Sequence, residues 1–176
     1  MTNKEFYPII DSEILNILSK YTGDPFLKKH KGSQPNQKAY GFLIWFIEFY
    51  CKQTNYLPFL TEGNDDASCD IIFDTVDSFG NKRFFIIQSK WNSENKVESE
   101  IETKDIKYTL NDFDTILRGD KKNSANTKLT AKLADLKNHI EQNGQVNFIF
   151  ISLCNKNDKI DDNILSFTKA NKKNLV

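Results

Sequence analysis

The stretch Asp70-Ile71-Ile72-Phe73-Asp74-Thr75-Val76-Asp77-Ser78-Phe79-Gly80-Asn81-Lys82-Arg83-Phe84-Phe85-Ile86-Ile87-Gln88-Ser89-Lys90, preceded by Asp65-Asp66-Ala67-Ser68-Cys69, carries the reading of the fold. Two runs rich in β-branched and aromatic residues, Cys69 to Val76 and Arg83 to Lys90, flank Asp77-Ser78-Phe79-Gly80-Asn81, whose residue types suit a hairpin loop. Phe84 to Ile87 is continuously apolar, so the second strand is expected to be covered on both faces. Side chains two apart on a strand point the same way, which puts Gln88 and Lys90 on one face and Ser89 on the other. Asp70 opens the first strand and therefore lies beside the end of the second. A carboxylate, an amide oxygen and an ammonium are expected together at one end of the hairpin.

Upstream, Ile14, Leu15 and Leu18 recur at helical spacing and predict a short helix from about Ser12 to Lys20, stopped by Gly23. A second helix is predicted from an N-cap at Ser33, with Pro35 in its first turn, through Gly41 to about Gln53. Tyr56 to Leu60, broken by Pro58, reads as extended, and Glu62 to Ser68 as a polar turn. Downstream, Ile106, Leu110, Phe113 and Leu117 mark one helix ended by Gly119, and Leu129, Leu133, Leu136 and Ile140 mark another ended by Gly144. Val146 to Leu153 is uncharged and reads as a central strand; a last helix near Asp161 to Ala170 leads into the tail Asn171 to Val176. This order of helices, hairpin, helices, strand and helix predicts an α/β domain.

A chain of 176 residues is long enough to bury a core without disulfides. Lysine plus arginine and aspartate plus glutamate each number 24, so no overall basic field points to a nucleic-acid partner. A nuclease is compatible with that balance, because acidic metal ligands offset a basic groove. Cys51, Cys69 and Cys154 are odd in number and form no CxxC, which fits neither a disulfide scaffold nor a zinc ribbon and agrees with a cytoplasmic setting. No signal peptide is read at the polar start. The apolar run Phe42 to Ile47 is much shorter than the roughly 20 residues of a membrane span, so no membrane partner is expected.

Phosphodiester hydrolysis suits the residues at the hairpin end. A divalent cation held by oxygen ligands neutralises phosphate and lowers the pKa of the attacking water. Asp70 supplies charge for Mg²⁺ or Mn²⁺, the Gln88 oxygen fills a coordination position, and Lys90 orients the water or stabilises the transition state. Equally, a strand ending in Gln-Ser-Lys can simply surface into solvent, and an Asp before a strand can be a turn residue.

The series of Asp, apolar strand, turn, apolar strand and Gln-x-Lys resembles the motif of PD-(D/E)XK nucleases in the branch where Gln replaces the acidic residue. The chain is also similar to the nuclease-like N-terminal region of the abortive-infection phage-resistance (AIPR) family. That similarity rests on Asp66-x-x-x-Asp70, on Ile87-Gln88-Ser89-Lys90-Trp91, and on Ile106-Lys107-Tyr108-Thr109-Leu110-Asn111-Asp112-Phe113 followed by Leu117-Arg118-Gly119. It spans roughly Asp24 to Cys154. Ser68 and Cys69 depart from the Gly and apolar residue often found before the second Asp. Members of the family also run longer, so the chain is read either as an excised fragment, with C-terminal domains absent from it, or as a naturally short form.

The resemblance implies a restriction-endonuclease-like core, a mixed central sheet flanked by helices, over residues 25–155. An N-terminal helical extension (1–24) and a C-terminal helix with polar tail (156–176) would surround it. It implies an Mg²⁺-dependent endonuclease in bacterial anti-phage defence, with Asp70, Gln88 and Lys90 catalytic, a nucleic-acid partner, DNA or RNA, and a homodimer among its possible assemblies. The alternative is an inactive module of the same fold that binds nucleic acid or a protein.

Nucleases of this fold often add an acidic residue from the helix before the sheet, here Glu48, the one charged group between Lys38 and Lys52. Glu48 is read either as a further catalytic metal ligand or as half of an i,i+4 pair with Lys52. Lys96, Lys104 and Lys107 either line a groove leading from Lys90 or, interleaved with Glu98, Glu100, Glu102 and Asp105, form a solvated helix face. Arg118 to Lys122 lacks the glycine spacing of a phosphate loop and reads as a helix end. His30 and His139 lack a nucleophile context.

Overall fold

A computed structural model describes residues 1–121, 125–172 and Leu175. Lys122, at the end of the Arg118–Lys122 segment, and the tail residues Lys173, Asn174 and Val176 lie outside the described residues. The elements run α1 (Asn3–Lys20), α2 (Pro25–Lys29), α3 (Gln34–Phe49), β1 (Ile71–Val76), β2 (Lys82–Lys90), a 3-10 turn at Glu94–Lys96, α4 (Thr103–Leu117), α5 (Thr127–Glu141), β3 (Gln145–Ser152) and α6 (Asp158–Ala170). They form an α/β architecture whose small, mixed, open sheet has the order β1-β2-β3 and is flanked by helices. The chain divides into two compact units, and the boundary falls inside β2, after Gln88.

One unit comprises Met1–Pro58, Ser89–Glu100 and Ser152–Asn155. Its first helix begins at Asn3, well before Ser12. The cause is a reciprocal cap that outweighs Pro8: the Glu5 amide donates to Thr2 Oγ1 at 3.2 Å and the Thr2 amide donates to Glu5 Oε2 at 2.7 Å. Pro8 forfeits one intrahelical bond and the helix runs through it. The short α2, absent from the sequence reading, is capped by Asp24, whose Oδ1 accepts from the Phe26 and Leu27 amides.

In α3, Ser33 sits at the cap position without a side-chain bond, and the helix ends at Phe49 rather than Gln53. Helices α1 and α3 pack together through Gly41, where an added Cβ would lie 2.9 Å from Ile14 Cγ2. Asp24 is buried and receives the Tyr56 hydroxyl at 2.7 Å, so this polar group satisfies its burial by hydrogen bonding.

The other unit comprises Phe59–Gln88, Ile101–Ile151 and Lys156–Val176. Strands β1 and β2 are antiparallel, with Ile71 opposite Ile87 and Val76 opposite Lys82. Alternation sends Ile72, Phe84 and Ile86 into a core with Phe113, Ile116 and Leu117 of α4 and Leu129, Leu133 and Leu136 of α5. The opposite face carries Phe73 stacked on Phe85 at 4.7 Å. Each large side chain fully buried here contributes roughly 1.5–3 kcal/mol. β3 brings Val146 to the same core, and Phe148 stacks on Phe113 at 4.1 Å. None of the described helices is long and apolar enough to cross a membrane.

Candidate functional site

The first strand starts at Ile71, yet the backbone of Asp70 is already fixed. Its amide donates to the Ile87 carbonyl at 2.9 Å, and its carbonyl accepts from the Thr61 and Glu62 amides at 2.9 and 3.0 Å. The ladder ends at the Ile71–Ile87 pair, so Asp70 sits just beyond the first strand, and its bond to the Ile87 carbonyl holds it beside the end of β2. The two side chains meet there: Gln88 Nε2 donates to Asp70 Oδ2 at 2.9 Å. Asp70 is only 6% exposed, so the carboxylate is held in a largely dry position.

The loop that delivers Asp70 is strained. Asp65, Ala67 and Ser68 take φ values of 60°, 53° and 54°, a region that costs a non-glycine residue on the order of 1–3 kcal/mol. Side-chain bonds hold it. Asp66 accepts from the Gly63 and Ser68 amides at 3.2 and 3.1 Å, Ser68 Oγ donates to Asp112 Oδ2 at 2.5 Å, and Lys121 pairs with Asp65 at 2.5 Å. Burial pushes the Asp66 carboxyl upward, the Asp112 charge adds to this, and the two backbone donors oppose it. Glu62 is likewise pushed up by burial and by Asp66, against Lys128.

The donor set at Asp70 fits a divalent cation in one specific respect. Oxygen ligands about 2.1 Å from Mg²⁺ in octahedral geometry lie about 3 Å apart along an edge. The 2.9 Å between Gln88 Nε2 and Asp70 Oδ2 is the ordinary length of a hydrogen bond, and it leaves the two side chains close enough to share such an edge. A half-turn of the amide exchanges its nitrogen and oxygen, so Gln88 can face Asp70 with a donor or face a shared cation with an acceptor. Among the described residues, no three or more His, Cys, Asp or Glu side chains come together as a metal-holding group. A cation at Asp70 would rely on one carboxylate and one amide oxygen, with water for the rest.

Glu48 and Lys90 fall in the other unit. Glu48 Oε1 accepts from Lys20 Nζ at 2.7 Å and from the Tyr21 hydroxyl. Its ion pair is therefore with α1. Lys52 has left the helix, with φ 54°, and its ammonium lies 4.7 Å from the Phe49 ring centroid. Lys90 ends β2 and, with Trp91 and Lys96, lines a groove in the same unit. Lys104 pairs with Glu102 at 2.6 Å at the start of α4, so Lys96 and Lys104 do not continue one helix face.

Gly119 takes the left-handed φ of 73° at the end of α4, and Arg118 pairs back to Asp114, which accounts for the Arg118–Asp120 run as a helix cap. His139 Nε2 lies 2.9 Å from the Gln145 carbonyl, and His30 packs on Phe26. Sequence reasoning did not single out Ser68, Asp112 and Lys121, whose roles depend on contacts across 44 and 56 residues. Comparison with protein-family models, curated proteins and solved structures yields no match.

Proposed function

We propose that this chain carries a divalent-cation-dependent nuclease site of the PD-(D/E)XK kind, in which Asp70 and Gln88 hold the cation and Lys90 serves the phosphate. The observation that carries the proposal is the Asp70–Gln88 contact: a buried carboxylate and an amide brought together at the open end of the hairpin, with Gln88 Nε2 2.9 Å from Asp70 Oδ2. When bound, the cation supplies charge neutralisation at the phosphate and acidifies a coordinated water. The chain's part is to fix the geometry. Backbone bonds hold Asp70 from both sides, Gln88 presents its amide near the end of β2, and Lys90, two residues on along the same strand, is assigned the positive charge that serves the phosphate.

Glu48 is assigned to the α1–α3 ion pair, since Lys20 and Tyr21 account for its charge. The resemblance of its sequence motifs to AIPR proteins is the support for a role in anti-phage defence. A second reading, a non-cutting module that binds nucleic acid or a protein partner, draws on the absence, among the described residues, of any group of three or more His, Cys, Asp or Glu side chains able to hold a metal.

The test incubates purified protein with plasmid, linear and single-stranded substrates in Mg²⁺, Mn²⁺ or EDTA. Metal-dependent cleavage is expected, and Asp70→Asn, which keeps shape and an acceptor oxygen, is expected to lower it by 100-fold or more, on the order of 3 kcal/mol. Equal rates for Asp70→Asn refute the site, and inert protein on every substrate selects the non-cutting module.

A further inference from the structure

The unit that contains Lys90 holds a groove of about 870 Å³. It lies among α1, the N-terminal end of α3 and the segment that follows β2. Pockets for organic ligands usually occupy about 300–1,000 Å³, so this one has room for more than a single ion or water cluster. Four lysines line it, Lys4, Lys38, Lys90 and Lys96, against two glutamates, Glu94 and Glu98. With Asp11, the partner of Lys38, the balance is four lysines to three carboxylates. Lys38 is committed to Asp11 at 2.6 Å with both side chains mostly covered. Lys4 pairs with Glu98 at 3.5 Å with both side chains over 60% exposed, a bond worth little and easily exchanged for a better anion. Lys96 makes no ion pair among the described residues.

Beside these cations stands Trp91. Its indole packs against Tyr7 at 5.7 Å and Phe42 at 5.4 Å, which fixes the ring, and it remains half-buried with the groove against it. A fixed aromatic face next to exposed lysines is the combination that grips an unpaired strand, where a base stacks on the ring and the backbone follows the cations. A duplex keeps its base faces stacked inside and offers only phosphates, so it leaves the indole unused. Asn92, buried in the groove wall, is held in place through Oδ1, which accepts from the Ser152 hydroxyl at 2.9 Å.

We infer that this groove binds a single nucleic-acid strand, stacking a base on Trp91 and holding phosphates with Lys4, Lys90 and Lys96. The inference rests on the nuclease reading only for the choice of a nucleic acid as the polyanion.

The chain has two tryptophans, so Trp45→Phe leaves Trp91 as the reporter. The protein is titrated in EDTA, where metal-dependent cleavage is off, with 12-nucleotide single-stranded DNA, the RNA equivalent, a duplex of the same sequence, and poly-glutamate. Saturable quenching by a single strand is expected, with the DNA and RNA arms deciding which is preferred. Affinity should fall with salt at a log–log slope of about −2 for three phosphate contacts.

Lys96→Glu should weaken binding roughly tenfold. By anisotropy with labelled strand, Trp91→Leu should weaken it at least tenfold and Trp91→Phe by less than about threefold, because stacking is worth roughly that much per base. Absence of quenching, equal quenching by duplex or poly-glutamate, or insensitivity to Lys96→Glu overturns the inference. Quenching that persists in protein unable to cleave refutes the nuclease reading alone. Asp70-dependent cleavage without single-strand binding refutes the groove alone.

Discussion

Gln88 is the residue at which the proposed site can be examined in two directions. Its amide now donates to a buried carboxylate at 2.9 Å. Gln88→Glu replaces that donor with a second negative charge, which is unfavourable until a cation neutralises the pair. The variant should therefore lose thermal stability in EDTA, regain it with Mg²⁺ and need less Mg²⁺ for half-maximal cleavage, because Glu brings a full charge where the amide brings a dipole. Gln88→Leu should abolish cleavage and cost about 1–3 kcal/mol, since it removes a donor from buried Asp70. Metal-titrated melting and cleavage measure both, and normal cleavage by the Leu variant ends the case for Gln88 as a ligand. The adjacency of Asp70 and Gln88 is legible in the sequence, because in an antiparallel hairpin the start of the first strand lies beside the end of the second. The partner of Glu48 is not legible. Lys20 and Tyr21 lie 28 and 27 residues earlier on another helix, and only the crossing of α1 with α3 brings them to it.

Among the elements, legibility follows how local the deciding force is. Periodic apolar stripes place α4 and α5 to within a few residues, and the uncharged run places β3, although as an edge strand beside β2 and not as the central one, whereas α1 starts nine residues before Ser12 because a two-bond cap overrides a proline. Gly144 shows a right boundary reached by a different cause. The left-handed residue after α5 is Asn143, at φ 60°, while Gly144 makes room for the His139 ring, which would have to turn away from a Cβ built 2.2 Å from it. Gly41 tests the same idea inside a helix. Helix propensity alone favours alanine over glycine by about 1 kcal/mol. An added Cβ would, however, meet Ile14 Cγ2 at 2.9 Å and Leu18 Cδ2 at 3.1 Å, and Ile14 is fully buried with a stiff, branched side chain. Gly41→Ala should therefore destabilise by about 1–2 kcal/mol net, the overpacking penalty exceeding the propensity gain. Urea denaturation would show it, and a stabilised variant would mean that α1 and α3 separate without penalty.

Across the whole molecule, 24 basic and 24 acidic residues cancel, so the pH dependence of stability is set by a few groups whose surroundings move their pKa. Burial pushes the Cys51 thiol up to about 12. Cys69 is also raised, first by burial and then by the charges of Asp66, Asp70 and Asp112, and Tyr56 is raised by burial and by its bond to Asp24. Each of these groups is charged only when deprotonated, and each holds its proton more tightly folded than unfolded. Their stabilising contribution is therefore complete below the unfolded pKa values and is lost as pH rises through them toward the folded ones. Ordinary thiols and phenols release protons from about pH 8.5 to 10, and each proton kept by the native state but released by the unfolded chain lowers stability by about 1.4 kcal/mol per pH unit. Glu62 and Asp66, raised by burial, act with the same sign in the carboxylate range. The urea midpoint should accordingly fall from pH 7.5 to 10 at constant ionic strength. Cys51→Ala should flatten that fall by about one proton's share, at the expense of a small cavity that lowers stability equally at all pH values. Glu62→Gln should raise the midpoint at pH 7 and leave it unchanged at pH 4, where the carboxyl is already neutral in the fold. A midpoint that stays level to pH 10, with Cys51→Ala parallel to wild type, would mean that these thiols are open to solvent in the native state.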